Sequence, residues 1–168
     1  MHELDETQKE KDMNQLNPYK KIIDLLNDVK VPFSVLEHDS MYTSQQEEEL
    51  TGLEVGQGIK SILLKNKDDF LLALLPGDRR IDTKKVKTTL STKNLRFATP
   101  EEVEKIMFCS IGACYPFGSL IGLKTIMDPS LSENRVIAFN PGVHNKSIIM
   151  EYSDFYKIDT PEIRDIAQ

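Results

Sequence analysis

The ten residues from Cys109 to Gly118 have the composition of a loop that lines a small-molecule site. The run reads CSIGACYPFG, with glycine at 112 and proline at 116. Glycine permits positive φ angles and close approach of the backbone to a ligand, and proline stiffens a loop and removes one N–H donor. Such a loop can form the wall of a small pocket and direct backbone N–H groups into it.

Lys60 could bring a positive charge to this pocket. It lies at the start of the apolar run 59–64 and, on an alternating strand, shares one face with Ile62 and Leu64. Its ammonium could stabilise an oxyanion or hold a phosphate. It could equally be an end-of-strand lysine whose stem lies along apolar surface. The residue pattern leaves both interpretations open.

Two histidines and two cysteines are the other reactive candidates. His144, in the turn that follows Gly142, could be a general acid or base, a pocket donor or a turn residue. His38 ends the first predicted strand and could belong to the same cleft or cap that strand. Cys109 and Cys114 lack a second half-site, so no metal is expected, although Cys114 could act as a nucleophile.

Charge is distributed unevenly along the chain. The net charge is −6, yet residues 78–96 contain seven basic residues and only two acidic ones. A basic strip of this kind can bind phosphates in a protein that is acidic overall. The alternative is a solvated helix face.

Hydrophobic periodicity and capping residues predict a mixed α/β domain. Asn17-Pro18 and Thr99-Pro100 are typical helix starts. The predicted hairpins 59–75 and 135–150 are too tight for helical crossovers, so the sheet is at least partly antiparallel. Predicted helices span 18–30, 43 or 44 to 51, 84–91, 100–107 and 153–158; predicted strands span 33–37, 59–64, 70–75, 95–98, 124–127, 135–139 and 147–150.

The chain length of 168 residues fits a single domain. We expect a flexible polar tail over 1–16, the domain over 17–160 and a C-terminal tail over 161–168. No apolar run approaches a membrane span, and the N-terminus lacks the pattern of a secretory signal. These features favour a reduced, cytoplasmic protein without a membrane partner.

Read in order, the motifs resemble the YbaK/ProX family, free-standing relatives of the editing domain of bacterial prolyl-tRNA synthetase. The motifs are EHD at 37–39, GIKS at 58–61, PGDRRID at 76–82, ATPEEV at 98–103, GACYPFG at 112–118, MD at 127–128 and FNPGVHN at 139–145. The resemblance implies a single α/β (α+β) domain with a curved, mixed, largely antiparallel sheet flanked by helices. It also implies hydrolysis of the ester of mischarged aminoacyl-tRNA without a cofactor.

The resemblance assigns roles to individual positions. It implies catalytic roles for Lys60 and Gly112. The implied substrate-binding residues are His38, Ala113, Tyr115, Pro116, Phe117, Gly118, Gly142, His144 and Asn145. The basic strip then contacts the acceptor end of tRNA through Arg79, Arg80, Lys84, Lys85 and Lys87.

The resulting hypothesis is a trans-editing hydrolase that deacylates mischarged tRNA-Pro carrying a small amino acid, with an aminoacyl-tRNA synthetase as a further partner. Leu36 and Ser147 replace a tyrosine and an aspartate of the branch that removes cysteine, and His144-Asn145 is closer to the branches that remove alanine or other small residues. The alternative is a catalytically silent module that docks on a synthetase or another protein.

Overall fold

A computed structural model describes residues 17–39 and 44–168 of the chain. The predicted tail 1–16 and the predicted helix start at Thr43 lie outside the described residues. None of the helices in the described part has the length and apolar character needed to cross a membrane. Its helices are α1 (Pro18–Asp28), α2 (Ser44–Thr51), α3 (Thr83–Thr89), α4 (Pro100–Met107) and α5 (Tyr152–Asp159), and its strands are β1 (Phe33–Glu37), β2 (Ile59–Asn66), β3 (Asp69–Pro76), β4 (Leu95–Phe97), β5 (Lys124–Met127), β6 (Val136–Phe139), β7 (Lys146–Glu151) and β8 (Glu162–Ile163).

The strands form two sheets. One is antiparallel with the order β1-β7-β6, and the other has the order β4-β2-β3-β5-β8. In the second sheet β4, β2 and β3 pair antiparallel, whereas β5 pairs parallel to both β3 and β8. A parallel bridge between Gly58 and Ala138 connects the two sheets. The mixed α/β class and both hairpins are therefore confirmed, with two bridged sheets where one curved sheet was predicted.

Local capping explains where the helices begin. The Asn17 side chain caps α1, and Thr99 forms a reciprocal capping box with Glu102 at the start of α4. Both starts agree with the prediction. Helix α5 begins at Tyr152, one residue before the predicted start at 153.

The core lies on both faces of the five-stranded sheet. Alternation along β2 directs Ile59 and Leu63 into the larger hydrophobic cluster and Leu64 into a smaller one that contains Val86. The larger cluster also holds most of the 112–118 loop. Lys60 shares the parity of Leu64, so the alternation directs it away from the larger cluster.

The last eight residues belong to the fold, which corrects the predicted C-terminal tail. Strand β8 extends the second sheet, and the N–H groups of Ile166 and Ala167 donate to Oδ2 of Asp128 at 3.0 and 2.9 Å. Ile166 and Ala167 are buried. The sequence lacks an apolar run here, because this segment is held by hydrogen bonds to a distant residue.

Asp128 is the centre of this anchoring. It is only 2% exposed, and Ser130 donates to its Oδ1 through both N–H and hydroxyl. Burial raises the pKa of Asp128, but the hydrogen bonds from Ser130, Ile166 and Ala167 outweigh burial and leave the pKa below its ordinary value. Asp128 is therefore held as a carboxylate in the folded protein.

We expect Asp128→Ala to lower the free energy of unfolding by about 3 kcal/mol, because several buried donors lose a charged acceptor. The matched control is Asp165→Ala, which removes only the exposed pair with Lys85 and should cost at most about 1 kcal/mol. Urea denaturation measures both values. Equal losses in the two variants would contradict this account.

The difference in unfolding free energy between wild type and Asp128→Ala should depend on pH. Because the folded pKa of Asp128 is depressed, its contribution is complete above the unfolded pKa of about 3.9. It is lost as the pH falls through the folded pKa. The gap between wild type and Asp128→Ala should therefore shrink in acid.

Candidate active site

The loop 109–118 and the late turn, residues 140–145 after β6, meet through the side chain of Asn140. Its Nδ2 donates to the backbone oxygen of Gly112 at 3.0 Å. Because a carbonyl can only accept, this bond fixes the orientation of the amide. Within residues 17–39 and 44–168, no donor binds the buried Oδ1 atom. Such an atom favours the arrival of a donor, since an unmade buried hydrogen bond is costly.

Two glycines with positive φ lie in these turns, and Gly142 is also tightly packed against Pro18 of α1. Gly142 has φ +86°, and a Cβ there would lie 2.8 Å from Cβ of Pro18 and 3.5 Å from Cδ1 of Tyr115. Gly112 has φ +90°, and its Cβ would lie 3.5 Å from Cε1 of His144. His144 is therefore next to the tip of the loop. Side chains would strain both positions.

His38, which follows β1, is hydrogen-bonded to the late turn. Its backbone N–H donates to the Asn145 carbonyl at 3.0 Å. Its ring Nδ1 lies 2.6 Å from the Asp39 carbonyl, and Nε2 lies 2.9 Å from the Ser147 hydroxyl. A carbonyl needs a donor, so the neutral ring carries its proton on Nδ1 and accepts at Nε2. The structure thus brings His38, Gly112, Gly142, His144 and Asn145 together, and their role in substrate binding stays a prediction.

Lys60 is held by the turn that follows β3. Its Nζ donates to the Arg79 carbonyl at 2.6 Å. Burial lowers the pKa of Lys60, the neighbouring Arg80 lowers it further, and Asp78 partly offsets both. The side chain is half-buried. The ammonium is therefore partly withdrawn from water and held at the turn that follows β3.

Strand register relates Lys60 to Asn140. Each residue lies two positions beyond the Gly58–Ala138 parallel bridge. Side chains alternate along strands, so residues two positions beyond the bridge share the face of the bridged pair. Ile59 and Phe139, one position beyond it, both enter the larger cluster. The bridge therefore puts Lys60 and Asn140 on neighbouring backbone segments, while the hydrogen bond of the Lys60 ammonium goes to the Arg79 carbonyl.

Much of the predicted loop faces the core. All residues from Ala113 to Gly118 are buried. The Tyr115 hydroxyl donates to the Met107 carbonyl at 3.0 Å, and Phe117 packs edge-on against Phe139 at 5.2 Å between centroids. A Cβ on Gly118 would lie 2.2 Å from Thr125 Oγ1. The predicted substrate contacts at Pro116, Phe117 and Gly118 are corrected to core packing that supports the exposed tip 110–112.

The loop amides are partly committed as well. The Ala113 N–H donates to the Ser110 carbonyl at 3.0 Å. Hydrogen bonds from the N–H groups of Gly112 and Cys114 help to lower the pKa of the Cys114 thiol. The Ala113 N–H is therefore engaged within the loop, and we regard Lys60 as the principal candidate for stabilising negative charge.

The basic strip separates into two kinds of side chain. Arg79, Arg80 and Lys84 are exposed, and Lys84 and Lys87 line an open depression of about 450 Å³. Lys85 donates instead to Asp165 and to the Ala167 carbonyl at 2.9 and 2.7 Å. Lys85 therefore anchors the C-terminal segment. This differs from the predicted role of Lys85 as a tRNA contact.

Sequence reasoning missed three polar residues near these turns. Asn140 carries the contact between them, Ser147 is fully buried against His38, and Ser61 has a buried hydroxyl without a hydrogen-bond partner. A polar residue directly after the buried strand β6 was a usable signal for Asn140.

Comparisons with known proteins agree with this fold. A model of the aminoacyl-tRNA editing domain matches residues 38–158. A multifunctional Ser/Thr-tRNA deacylase, ProXp-y from Escherichia coli K12, is 31% identical over 86% of this chain and 90% of its own length. The prolyl-tRNA editing protein ProX of Acetoanaerobium sticklandii is 24% identical over 82% and 87%.

Larger proteins and solved structures extend the likeness. A proline–tRNA ligase of Aquifex aeolicus is 28% identical over 80% of this chain and 25% of its own length. A solved structure of a candidate trans-editing enzyme for prolyl tRNA synthetase has a TM-score of 0.79 at 21% identity, covering 90% of this chain and 97% of the other. The structural likeness supports the fold.

Gly112→Ala should cost about 1–2 kcal/mol of stability, because it forces a side chain onto a positive φ. Gly122→Ala is the matched control, since Gly122 has φ +67° and no atom within 4 Å of its Cβ position. Both variants should lose stability in urea. Only Gly112→Ala should shift the Asn140 side-chain amide resonance in NMR spectra. A shift in the control alone would contradict the contact.

Proposed function

The chain belongs to the aminoacyl-tRNA editing domain family, and we propose that it is a trans-editing hydrolase that deacylates mischarged tRNA-Pro carrying a small amino acid. The observation that supports the proposal is the contact of Asn140 with Gly112, on a segment that a backbone bridge places beside the strand that carries Lys60. The deacylase activity named for the E. coli relative supports the same reaction.

The proposed reaction is hydrolysis of an ester. A water oxygen attacks the aminoacyl carbonyl, a tetrahedral oxyanion forms, and the bond to the ribose oxygen breaks to release the amino acid and tRNA. An ammonium has three N–H donors, and the Arg79 carbonyl accepts from Lys60. The remaining donors would stabilise the oxyanion or orient the terminal phosphate.

Selection for a small acyl group would follow from the two turns. Gly112 and Gly142 allow the turns to approach closely, which favours a narrow space at the loop tip. The buried Oδ1 of Asn140 needs a donor, and the α-ammonium of an aminoacyl ester is one. A site of this kind would admit small amino acids and exclude larger ones by volume.

The exposed part of the basic strip would bind the tRNA. Arg79, Arg80, Lys84 and Lys87 are the proposed phosphate contacts, and Lys85 is omitted because Asp165 and Ala167 hold it. The likeness to segments of proline–tRNA ligases supports a synthetase as a further partner. Arg79 would contribute in two ways, through its guanidinium and through the carbonyl that holds Lys60.

Lys60→Ala should raise the barrier to deacylation by about 2 kcal/mol or more, the size of a lost oxyanion donor. Single-turnover rates would be measured on tRNA-Pro charged with alanine, serine, threonine, proline or phenylalanine. Lys105→Ala, which removes an exposed lysine of α4, is the control and should retain the wild-type rate.

Two results would contradict the proposal. Equal rates for wild type and Lys60→Ala would remove Lys60 from the mechanism. Hydrolysis of the phenylalanyl ester as fast as the alanyl or seryl ester would remove the size selection.

The tRNA interface predicts a specific salt dependence. The double variant Lys84→Ala, Lys87→Ala should reduce the slope of log K against log salt by about one unit per lysine that contacts phosphate. Lys85→Ala should leave that slope unchanged, because its ammonium is already paired. Filter binding across a salt series measures both slopes. A larger change for Lys85 would overturn the assignment.

A further inference from the structure

We propose that Cys109 and Cys114 are a redox pair that closes to a reversible disulfide and thereby slows the reaction of the adjoining site. Formation of the disulfide stands on the geometry of the thiols alone. Its effect on the reaction rests on the proposed function.

The two sulfur atoms are already close. Sγ of Cys109 lies 3.9 Å from Sγ of Cys114, in the van der Waals range. A disulfide has a sulfur–sulfur distance of about 2.05 Å, so the gap to be closed is small. The residues are 7% and 8% exposed, which shields them from bulky thiols but leaves a path for a small oxidant. They are the only cysteines in the chain.

The loop holds the sulfurs together from both ends. The hydroxyl of Tyr115, the residue after Cys114, donates to the carbonyl of Met107, the last residue of α4. Inside the loop, the Ser110 carbonyl accepts from the Ala113 N–H at 3.0 Å and lies 4.0 Å from Cys114 Sγ. The pair is therefore pre-organised by the fold.

The two thiols differ in acidity. A hydrogen bond from Cys109 lowers the pKa of Cys114, helped by the N–H groups of Gly112 and Cys114 and opposed by burial. The same contact and burial raise the pKa of Cys109. Cys114 is therefore the more nucleophilic thiol at neutral pH, because the thiolate is the reactive form. Cys109 is the resolving thiol.

With hydrogen peroxide as oxidant, the electrons balance in two steps. The Cys114 thiolate attacks a peroxide oxygen, which breaks the O–O bond and gives a sulfenic acid and hydroxide. Cys109 then attacks the sulfenic sulfur, and its proton leaves with the displaced hydroxide as water. The two sulfurs together lose two electrons, and the peroxide is reduced to one hydroxide and one water; the hydroxide becomes a second water by taking up the proton that the Cys114 thiol had released to solvent.

The bridge would act on the site because Gly112 lies between the two cysteines. Gly112 carries the carbonyl that binds Asn140 and lies next to His144. Bringing the sulfurs together changes the backbone on both sides of this residue. A displacement of about 1 Å at a reacting centre can slow catalysis by up to a hundredfold. The structure therefore couples the thiol pair to the loop tip.

The first arm of the test is mass spectrometry of the full chain after brief peroxide treatment. A monomer lighter by two hydrogens identifies the 109–114 disulfide, since no other pair exists. Cys109→Ser should instead become heavier by oxygen. Hydrogen exchange should slow in the 109–114 peptide of oxidised wild type. A wild-type protein that gains only oxygen, or that links into dimers, would overturn the disulfide.

The second arm measures deacylation of seryl- and alanyl-tRNA before oxidation, after it and after dithiothreitol. We expect oxidised wild type to be about tenfold slower or more, with recovery on reduction. The double variant Cys109→Ser, Cys114→Ser should show the same rate with and without peroxide, which controls for methionine oxidation. Full activity in the disulfide form would overturn the coupling.

The two arms separate the proposals. If no aminoacyl-tRNA is hydrolysed under any condition, the proposed function fails, and mass and hydrogen exchange still decide the disulfide. Unchanged exchange at 109–114 in the oxidised protein would overturn the coupling to the loop tip.

Discussion

The close contact of two turns is the constraint on which the rest of the site depends. Gly142 sits against Pro18 and Tyr115 without room for a side chain, and Asn140 reaches across to Gly112. The positive φ of Gly112 and Gly142 favours glycine, and the contact of the turns also needs a rigid base. The base is the buried loop segment itself, whose aromatic side chains pack into the larger core cluster. The packing of the loop in the core thus determines the position of the residues at its tip.

Strand alternation separates packing from chemistry. Along β2, Ile59 and Leu63 fill the main core while Lys60 takes the other face. The Gly58–Ala138 bridge then aligns this face with the end of β6, where Asn140 begins the late turn. A one-residue shift of β2 would turn Lys60 toward the core, so the register of this strand matters for the site as well as for packing.

The sequence predicted local structure well and distant contacts poorly. Hairpins, capped helices and the β5 strand follow from periodicity and capping within a few residues, and the motif order indicated the family.

The C-terminal segment was missed because its partner, Asp128, is far away in sequence and acts through hydrogen bonds. The family resemblance implied a substrate contact for Phe117, whereas its ring packs with Phe139. Lys85 was predicted to contact phosphate, but its ammonium pairs with Asp165. Such choices between core, ion pair and ligand depend on tertiary neighbours.

The central claim is that Lys60, the loop tip and the late turn line one site for a small aminoacyl ester. The most direct test is an NMR titration of the labelled protein with an adenosine analogue that carries serine through a non-hydrolysable amide. The account predicts that the amide resonances of Lys60, Gly112 and Asn140 shift together, with a single dissociation constant. Shifts at Gly112 and Asn140 that leave Lys60 unaffected at saturation, or shifts confined to the basic strip, would contradict it.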